Sequence, residues 1–214
     1  MTTTRHDRPV GTHSNGRRQT APTDRLSAAL AEQLATTRRR IAALEGACGH
    51  IAGWGAELRR RLQGGGRLLV AGNGGSAALA QHLAGELVGR YDRDRPSYSA
   101  IALTAETASL TAIGNDYGFD RCFSRQVEAH GRRGDIFLGL STSGRSRNLI
   151  DAVAAARARG LVSWAMTGPV PNPLADASDE VLGVSSETTA SIQDVHQVAV
   201  HLLCLAFELA EPSA

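Results

Sequence analysis

The sequence predicts an α/β protein, a three-layer doubly wound parallel sheet with an N-terminal helical extension. Three observations indicate this class. Two helical patterns precede the first apolar run, Gly64-Gly65-Gly66 separates them from it, and short apolar runs alternate with helical patterns from there onward. Such alternation is typical of a parallel sheet covered by helices on both faces. The predicted strands are 67–71, 99–103, 135–140, 161–166 and 180–184, and the predicted helices among and after them are 76–89, 105–113, 120–130, 146–159 and 190–209.

The segment before the first strand divides into a polar tail and two helices. Residues 1–22 are polar, with Thr, Arg, Gly and Pro and almost no apolar periodicity, so we expect a disordered tail. Helical periodicity covers 24–47 and 51–62. The first helix has more apolar surface than a lone surface helix needs, and we expect it to pack on a partner subunit. Its apolar residues are Leu26, Leu30, Leu34, Ile41 and Leu44. Residues 23–214 are predicted to form one domain.

Composition excludes several classes of protein. The net charge of +2 is too small to indicate nucleic-acid binding, and arginine clusters such as Arg38-Arg39-Arg40 are typical of solvated helix faces. No apolar run reaches the roughly 18 residues of a membrane span, and the N-terminus has no apolar signal region. Three widely spaced cysteines form no CxxC pair, which fits a reducing cytoplasm.

Ligands of open α/β sheets bind at the carboxyl ends of the strands, so the loops 72–76, 114–118 and 141–146 are the candidates. The first reads Gly72-Asn73-Gly74-Gly75-Ser76. It fits a dinucleotide fingerprint only weakly, because Asp92 and Asp94 lie in a polar loop instead of at a strand end. A tight turn without a ligand is one alternative. Open backbone N–H groups that bind an anion or a sugar hydroxyl are the other.

The third loop is rich in hydroxyl groups. Its candidates are Ser141, Thr142, Ser143 and Ser146. One hydroxyl is enough to cap the following helix, and four exceed that need. Together with the helix N-terminus they form a neutral cradle that suits a phosphate monoester. In the middle loop, Asn115 and Asp116 form either a simple Asx turn or a contact to sugar hydroxyls.

Two helices carry further candidates. His82 and Glu86 are four residues apart and share a helix face, either as metal ligands or as an ordinary surface pair. Gln193 and His201 lie about 80° apart around the last helix and could converge on one site. His196 lies about 140° from His201, so we expect a structural or surface role for it.

In combination, the motifs "GNGGSAALAQHLAGELVGRY", "TAIGNDYGF", "STSGRSRNLIDAV" and "SIQDVHQVAVHLLC" resemble the phosphoheptose isomerase branch of the sugar isomerase (SIS) domain family. The resemblance covers residue 24 to the C-terminus. It implies an aldose–ketose isomerase that interconverts D-sedoheptulose 7-phosphate and D-glycero-D-manno-heptose 7-phosphate through an enediol. It also implies a cytoplasmic homotetramer whose active sites lie between subunits, with one zinc ion in each subunit.

The resemblance also implies site residues. The implied metal ligands are His82, Glu86, Gln193 and His201, of which Glu86 and His201 are also the implied catalytic base and acid. The implied substrate contacts are Asn73, Gly74, Gly75, Ser76, Glu86, Arg90, Asn115, Asp116, Ser141, Thr142, Ser143, Ser146 and Gln193. One position departs from the family: Ala190 stands where an Asp is frequent. The resemblance therefore leaves open how the ligand side chains are supported, the rate and the sugar specificity.

A second interpretation of the resemblance is a non-catalytic SIS-domain binding module, either a replication-initiator-associating protein or a sugar-phosphate sensor. A binding module needs no acid–base pair such as Glu86 with His201. The presence of both residues therefore favours the enzyme.

Overall fold

The computed structural model describes residues 22–186 and 188–210. The helices are α1 (Pro22–Ala42), α2 (Cys48–Gln63), α3 (Gly75–Val88), α4 (Thr107–Tyr117), α5 (Ser124–His130), α6 (Arg147–Arg159), α7 (Pro173–Ala177) and α8 (Thr189–Leu209). The strands are β1 (Leu68–Gly72), β2 (Ala100–Ala102), β3 (Ile136–Ser141), β4 (Val162–Thr167) and β5 (Glu180–Gly183). Short 3₁₀ turns cover Ala43–Ala47 and Phe119–Arg121. Within the described part of the chain, no helix has the length and apolar character needed to cross a membrane.

The chain divides into two compact units within α1, one ending at Ala35 and the other beginning at Thr36. In the first unit, α1 exposes an apolar row of leucines at four-residue spacing: Leu26, Leu30 and Leu34 are each 60–64% exposed. The predicted tail 1–22 lies outside the described residues except for Pro22, which begins α1. One domain over 23–214 stays a prediction.

The five strands form one sheet in the order β2-β1-β3-β4-β5, and every neighbouring pair is parallel. β1 and β3 are buried along their whole length, as expected for strands covered on both faces. The register pairs Leu68 with Ala100 on one side and with Ile136 on the other. The doubly wound parallel fold predicted from the sequence is confirmed.

Alternate residues of each strand enter different cores, because successive side chains point to opposite faces of a sheet. Val70 and Leu138 pack with apolar residues of α2, α3 and α8. Leu69 and Phe137 pack with residues of α5 and α6 on the other face. The helices α3 and α8, which carry His82, Glu86 and His201, therefore cover the same face of the sheet.

The winding of the chain reverses between β1 and β3. From β1 the chain continues to β2 on one side, whereas β3 continues to β4 and β5 on the other. Crevices form where connections leave a sheet in opposite directions, just beyond the carboxyl ends of the strands. Here those ends are Gly72 and Ser141, so the first and third candidate loops both begin at this crevice.

The prediction of a loop at 114–118 is wrong. The helix α4 continues through Asn115 and Asp116 to Tyr117, and it ends where Gly118 takes a positive φ of 85°. The carboxylate of Glu106 caps the helix by accepting from the backbone N–H groups of Ala108 and Ser109, so α4 begins later than predicted.

Candidate functional site

The first loop makes a tight turn from β1 into α3. A side chain at Gly72 would bring its Cβ within 2.5 Å of the backbone oxygen of Ser76, so the close approach requires glycine. Gly74 adopts a positive φ of 56° and is the N-cap of α3, without a side-chain cap. Backbone N–H groups at this helix start have no side-chain cap, which suits an anion or a sugar hydroxyl.

The last helix reaches this loop through Gln193. A Cβ on Gly75 would lie 1.9 Å from Nε2 of Gln193, so the loop and the glutamine side chain are in direct contact. Any larger residue at 75 would displace the amide. The structure therefore brings Gln193, from α8, to the loop for which the family resemblance implies substrate contacts.

The hydroxyl groups of the third loop differ in their exposure to solvent. Ser141 is buried, and its Oγ accepts from the backbone N–H of Gly144 at 3.1 Å and lies 3.4 Å from Oγ of Ser146. Ser143 Oγ is exposed and accepts from the N–H of Arg145 at 3.2 Å. Ser146 is the N-cap of α6 but makes no side-chain cap bond, so its hydroxyl remains available at the helix N-terminus.

The loop that follows β4 packs directly against the third loop. Gly144 has a positive φ of 62°, and a Cβ there would lie 1.9 Å from Oδ1 of Asn172. Similarly, a Cβ on Gly168 would lie 2.0 Å from the backbone oxygen of Thr142. Asn172 is buried and also caps α7. Gly144 and Gly168 thus allow the two loops to pack directly, and this contact fixes the backbone of the third loop, which carries the hydroxyl groups and is called the hydroxyl loop below.

A reciprocal pair of amides joins the first and third loop regions. Nδ2 of Asn73 donates to Oδ1 of Asn148 at 3.0 Å, and Nδ2 of Asn148 donates to Oδ1 of Asn73 at 2.9 Å. Asn148 is not among the residues predicted from the sequence. Its sequence signal is an Asn in the first turn of a helix, between Arg147 and Leu149, a pattern that does not identify its partner.

His82 and Glu86 of α3 and His201 of α8 form one cluster, and Gln193 lies further along the same helix as His201, against Gly75. Nε2 of His82 lies 2.9 Å from Nε2 of His201, and Oε1 of Glu86 lies 3.5 Å from Nε2 of His82. Nε2 of Gln197, a residue not predicted from the sequence, lies 3.1 Å from Nε2 of His201. Its four-residue spacing from His201 is the signal that could have found it. The ring of Tyr91 lies beside His201, with 5.5 Å between centroids.

A cleft of about 570 Å³ runs along α3 and α8 between the cluster and the first loop. Its lining residues are Gly75, Ala78, Leu79, His82, Ala190, Gln193, Asp194 and Gln197. The methyl group of Ala190 thus lines the cleft at the position where the family frequently has a carboxylate. The cleft connects the loop, the amide of Gln193 and the imidazole of His82 in one space.

His196 does not belong to this site. It is fully buried, and its Nε2 donates to the backbone oxygen of Thr167 at 3.1 Å. Burial lowers the pKa of this imidazole, and the bond to Thr167 opposes that shift only in part. His196 is a structural residue that ties α8 to the end of β4.

Three predicted residues form no hydrogen bond or ion pair with the cluster or with either loop among the described residues. Arg90 donates to the backbone oxygen of Asp92, and Asn115 Nδ2 donates to Oδ1 of Asp116 at 2.8 Å. All three predicted residues, Arg90, Asn115 and Asp116, are exposed.

The donors of the cluster suit zinc. Zinc in proteins binds imidazole nitrogen and carboxylate oxygen, and two imidazoles on one tetrahedral ion have nitrogens about 3.3 Å apart. The nitrogens of His82 and His201 are 2.9 Å apart, close to that value. Over 22–186 and 188–210, no three His, Cys, Asp or Glu side chains are already grouped tightly enough to hold a metal ion. The imidazole pair thus fits the ion, and Glu86 would have to approach it.

The fold and the position of the cleft first define a class: an open α/β domain whose site lies where β1 and β3 diverge. Comparison with known proteins narrows the class. A family model described as SIS domain matches residues 29–168. A phosphoheptose isomerase of Streptomyces coelicolor is 61% identical over 157 residues, which cover 73% of this chain and 68% of the relative.

Two further relatives match over nearly their whole length. A phosphoheptose isomerase of a Bradyrhizobium strain is 45% identical, covering 88% of this chain and 96% of the relative. The solved structure of phosphoheptose isomerase from Neisseria gonorrhoeae is 41% identical and superposes with a TM-score of 0.79, covering 86% of this chain and 98% of that one. The chain therefore belongs to the SIS domain family, in its phosphoheptose isomerase branch.

Proposed function

We propose that the protein is an aldose–ketose isomerase that converts D-sedoheptulose 7-phosphate to D-glycero-D-manno-heptose 7-phosphate. The observation that carries the proposal is the cluster of His82, Glu86 and His201 at one end of a cleft whose other end is a predicted substrate loop. High identity to proteins named phosphoheptose isomerase supports the same reaction.

The proposed substrate spans the two loops. The phosphate monoester lies against the hydroxyl groups of the third loop and the N-terminus of α6, which supply donors without a lysine or a bound cation. The sugar lies in the cleft, where backbone N–H groups of Gly74 and Gly75 and the amide of Gln193 contact its hydroxyls. This orientation directs the carbonyl end of the sugar toward Glu86 and His201.

The reaction moves one carbon-bound proton and one oxygen-bound proton. Glu86 removes a proton from C1 of the ketose, and the C1–C2 double bond forms as the C2 carbonyl oxygen gains a proton from His201. The resulting enediol then loses the proton of its C1 hydroxyl to His201, while Glu86 returns its proton to C2. The sum is an aldose with no net gain or loss of protons or electrons. An imidazole suits the oxygen step because its ring nitrogen can both donate and accept a proton.

The proposed cofactor is one zinc ion per subunit, held by His82, Glu86, Gln193 and His201. When bound, such an ion polarises a substrate oxygen as a Lewis acid. Its support is the convergence of the two imidazole nitrogens and the nearby carboxylate. A glutamine amide is an uncommon zinc ligand, so we expect modest affinity.

The alternative of a non-catalytic binding module is not favoured. Relatives that match over 68–98% of their own length are named as isomerases. A module that only binds a ligand or a protein also has no use for an imidazole that lies 2.9 Å from a second imidazole and 3.5 Å from a carboxylate.

The proposed assembly is a homotetramer in the cytoplasm with sites between subunits. The exposed leucines of α1 support assembly, as does an apolar groove of about 370 Å³ between α2 and α8. Sites between subunits would give Arg90, Asn115 and Asp116 a route to the substrate of a neighbouring subunit. The three free cysteines, Cys48, Cys122 and Cys204, agree with a reducing compartment. Light scattering of the purified protein tests the assembly, and a tetramer mass is expected.

The deciding experiment is incubation of the purified protein with D-sedoheptulose 7-phosphate, followed by NMR of the products. Parallel reactions contain added Zn²⁺ or a chelator. The expected product is the aldose heptose 7-phosphate, with less of it in chelator. Absence of aldose in every reaction would reject the isomerase and favour the binding module.

A further inference from the structure

The two loops assigned to the substrate are joined by a closed pair of hydrogen bonds. Asn73 and Asn148 each donate once and accept once, at 3.0 and 2.9 Å, across 75 residues of sequence. This is the arrangement in which two primary amides satisfy each other most completely, because both oxygens and one N–H of each group are used. One N–H of Asn73 remains for another acceptor.

The position of the pair is more informative than its strength. Asn73 is the first residue after β1, and its backbone oxygen accepts from Ser76 in the turn into α3. Asn148 is only 2% exposed and lies in the first turn of α6, directly after the hydroxyl loop. The pair therefore connects the starts of the two helices whose N-termini border the crevice between β1 and β3.

We infer that Asn148 is a positioning residue that fixes the spacing between the sugar-binding loop and the phosphate-binding loop. The inference rests on the proposed function, because that function assigns the two ends of one substrate to these loops. A substrate that bridges both loops gains from both only if their separation is already correct. Without the pair, each binding event would also have to order the first loop against α6.

The same geometry changes the role of Asn73. Its side-chain oxygen already accepts from Asn148, so the amide is held in one orientation before any ligand arrives. What Asn73 offers the sugar is its remaining N–H. Asn148 itself is buried under the crevice and acts through Asn73, which makes it a positioning residue and not a catalytic one.

The test is steady-state kinetics of Asn148→Leu, a variant of similar volume that keeps no hydrogen-bonding group. We expect KM for D-sedoheptulose 7-phosphate to rise about tenfold, equivalent to about 1.4 kcal/mol of binding. We expect kcat to stay within about threefold, because the loss affects the bound ground state and the transition state alike.

A matched control separates positioning from a general loss of stability. Gln126, on α5, is another buried amide, and its Nε2 donates to the backbone oxygens of Leu103 and Cys122, both at 2.9 Å. Gln126→Leu also removes a buried amide and should lower Tm. Partial unfolding reduces the active fraction and so reduces apparent kcat, whereas KM of the remaining folded enzyme is unchanged. KM of this control should equal that of the wild type.

The outcomes are distinct. A raised KM in Asn148→Leu with a normal KM in Gln126→Leu supports the inference. A wild-type KM in Asn148→Leu, or an equal rise in both variants, overturns it while the isomerase stands. A wild-type protein that produces no aldose overturns the proposed function, and the inference with it. If Asn148→Leu does not fold, Asn148→Ser, which is smaller and retains a hydroxyl, is judged by the same comparison.

Discussion

The imidazole nitrogens of His82 and His201 lie 2.9 Å apart although 119 residues separate them in the chain. Their helices, α3 and α8, pack on the same face of the sheet, which brings the two rings together. At this distance one ring donates its N–H and the other accepts. Oε1 of Glu86, one turn after His82, lies 3.5 Å from the same nitrogen of His82, so a carboxylate adjoins the imidazole pair.

The first prediction concerns proton transfer. Glu86→Gln and His201→Gln each keep the size and polarity of the side chain but lose the group that accepts and returns a proton. We expect kcat to fall about 10²–10⁴-fold in each variant, the usual contribution of a general acid or base. The measurement is the initial rate of aldose formation, with Tm recorded to show that both variants fold.

A suitable control is Glu128→Gln. Glu128 lies on α5 and pairs with Arg121 at 3.0 Å, with 44% of each side chain exposed. An exposed pair of this kind contributes little to stability, so its loss should leave rate and Tm nearly unchanged. If Glu86→Gln and His201→Gln retain the wild-type rate as this control does, the assignment of base and acid is wrong.

The second prediction concerns the metal. His82→Ala removes one of the two converging imidazoles. We expect bound zinc to fall to less than about a tenth of the wild-type content, because the remaining ligands hold the ion much more weakly without His82. Elemental analysis after equilibrium dialysis measures this independently of activity. Wild-type protein dialysed against a chelator should lose zinc and recover it on addition of Zn²⁺.

His130→Ala is the matched control for the metal experiment. His130 is an exposed histidine at the end of α5, away from α3 and α8. Its zinc content should equal that of the wild type. Equal zinc in His82→Ala would show that this imidazole is not a ligand, and a wild type that binds none would remove zinc from the proposal.

Most of the fold could be predicted because its strands are strongly apolar. The alternation of apolar runs with helical patterns predicted all five strands to within two residues of their observed ends. Local capping was harder to predict. The five-residue helix α7 was missed, since Asn172 and Pro173 begin it inside a stretch rich in proline that resembles a loop. Asn115 and Asp116 were expected in a turn, yet α4 continues through both because its stop signal is Gly118.

The site was predictable only where its residues share one element. Helix spacing connected His82 with Glu86, but nothing local connects α3 with α8, and that link came from the family resemblance. Asn148 and Gln197 were missed because their partners are set by the packing of different elements or by side-chain rotamers. Sequence periodicity gives the face on which a residue lies, and tertiary packing determines what it touches.

The third prediction concerns the phosphate. Ser146 Oγ lies at the N-terminus of α6 and does not cap the helix, so Ser146→Ala should cost little stability. Loss of a hydrogen bond to a charged group corresponds to about 10–100-fold weaker binding. We expect KM for the sugar phosphate and the inhibition constant of inorganic phosphate to rise together. Ser178→Ala, which removes a hydroxyl that donates to the backbone oxygen of Leu174 in α7, should change neither. A rise in KM without a rise in the phosphate constant would reject the phosphate cradle.

The last helix is also fixed to the loop after α3 by a buried carboxylate. Glu208 accepts from the backbone N–H groups of Tyr91, Asp92 and Arg93 at 3.0–3.3 Å and pairs with Arg95 at 3.3 Å. Burial favours the neutral acid and is the largest single influence. The backbone N–H groups and Arg95 together outweigh it, so the pKa of Glu208 lies below its ordinary value.

The fourth prediction follows from that shift. A carboxylate whose pKa is lower in the folded state stabilises the protein fully above the pKa it has when unfolded, about 4.3, and loses this contribution as pH falls through the folded value. Wild-type protein should therefore lose more free energy of unfolding between pH 7 and pH 3 than Glu208→Gln, which is neutral throughout. Urea unfolding at both pH values measures the difference. Equal losses in the two proteins would mean that Glu208 is not a source of acid sensitivity in the packing of α8 against the loop that follows α3.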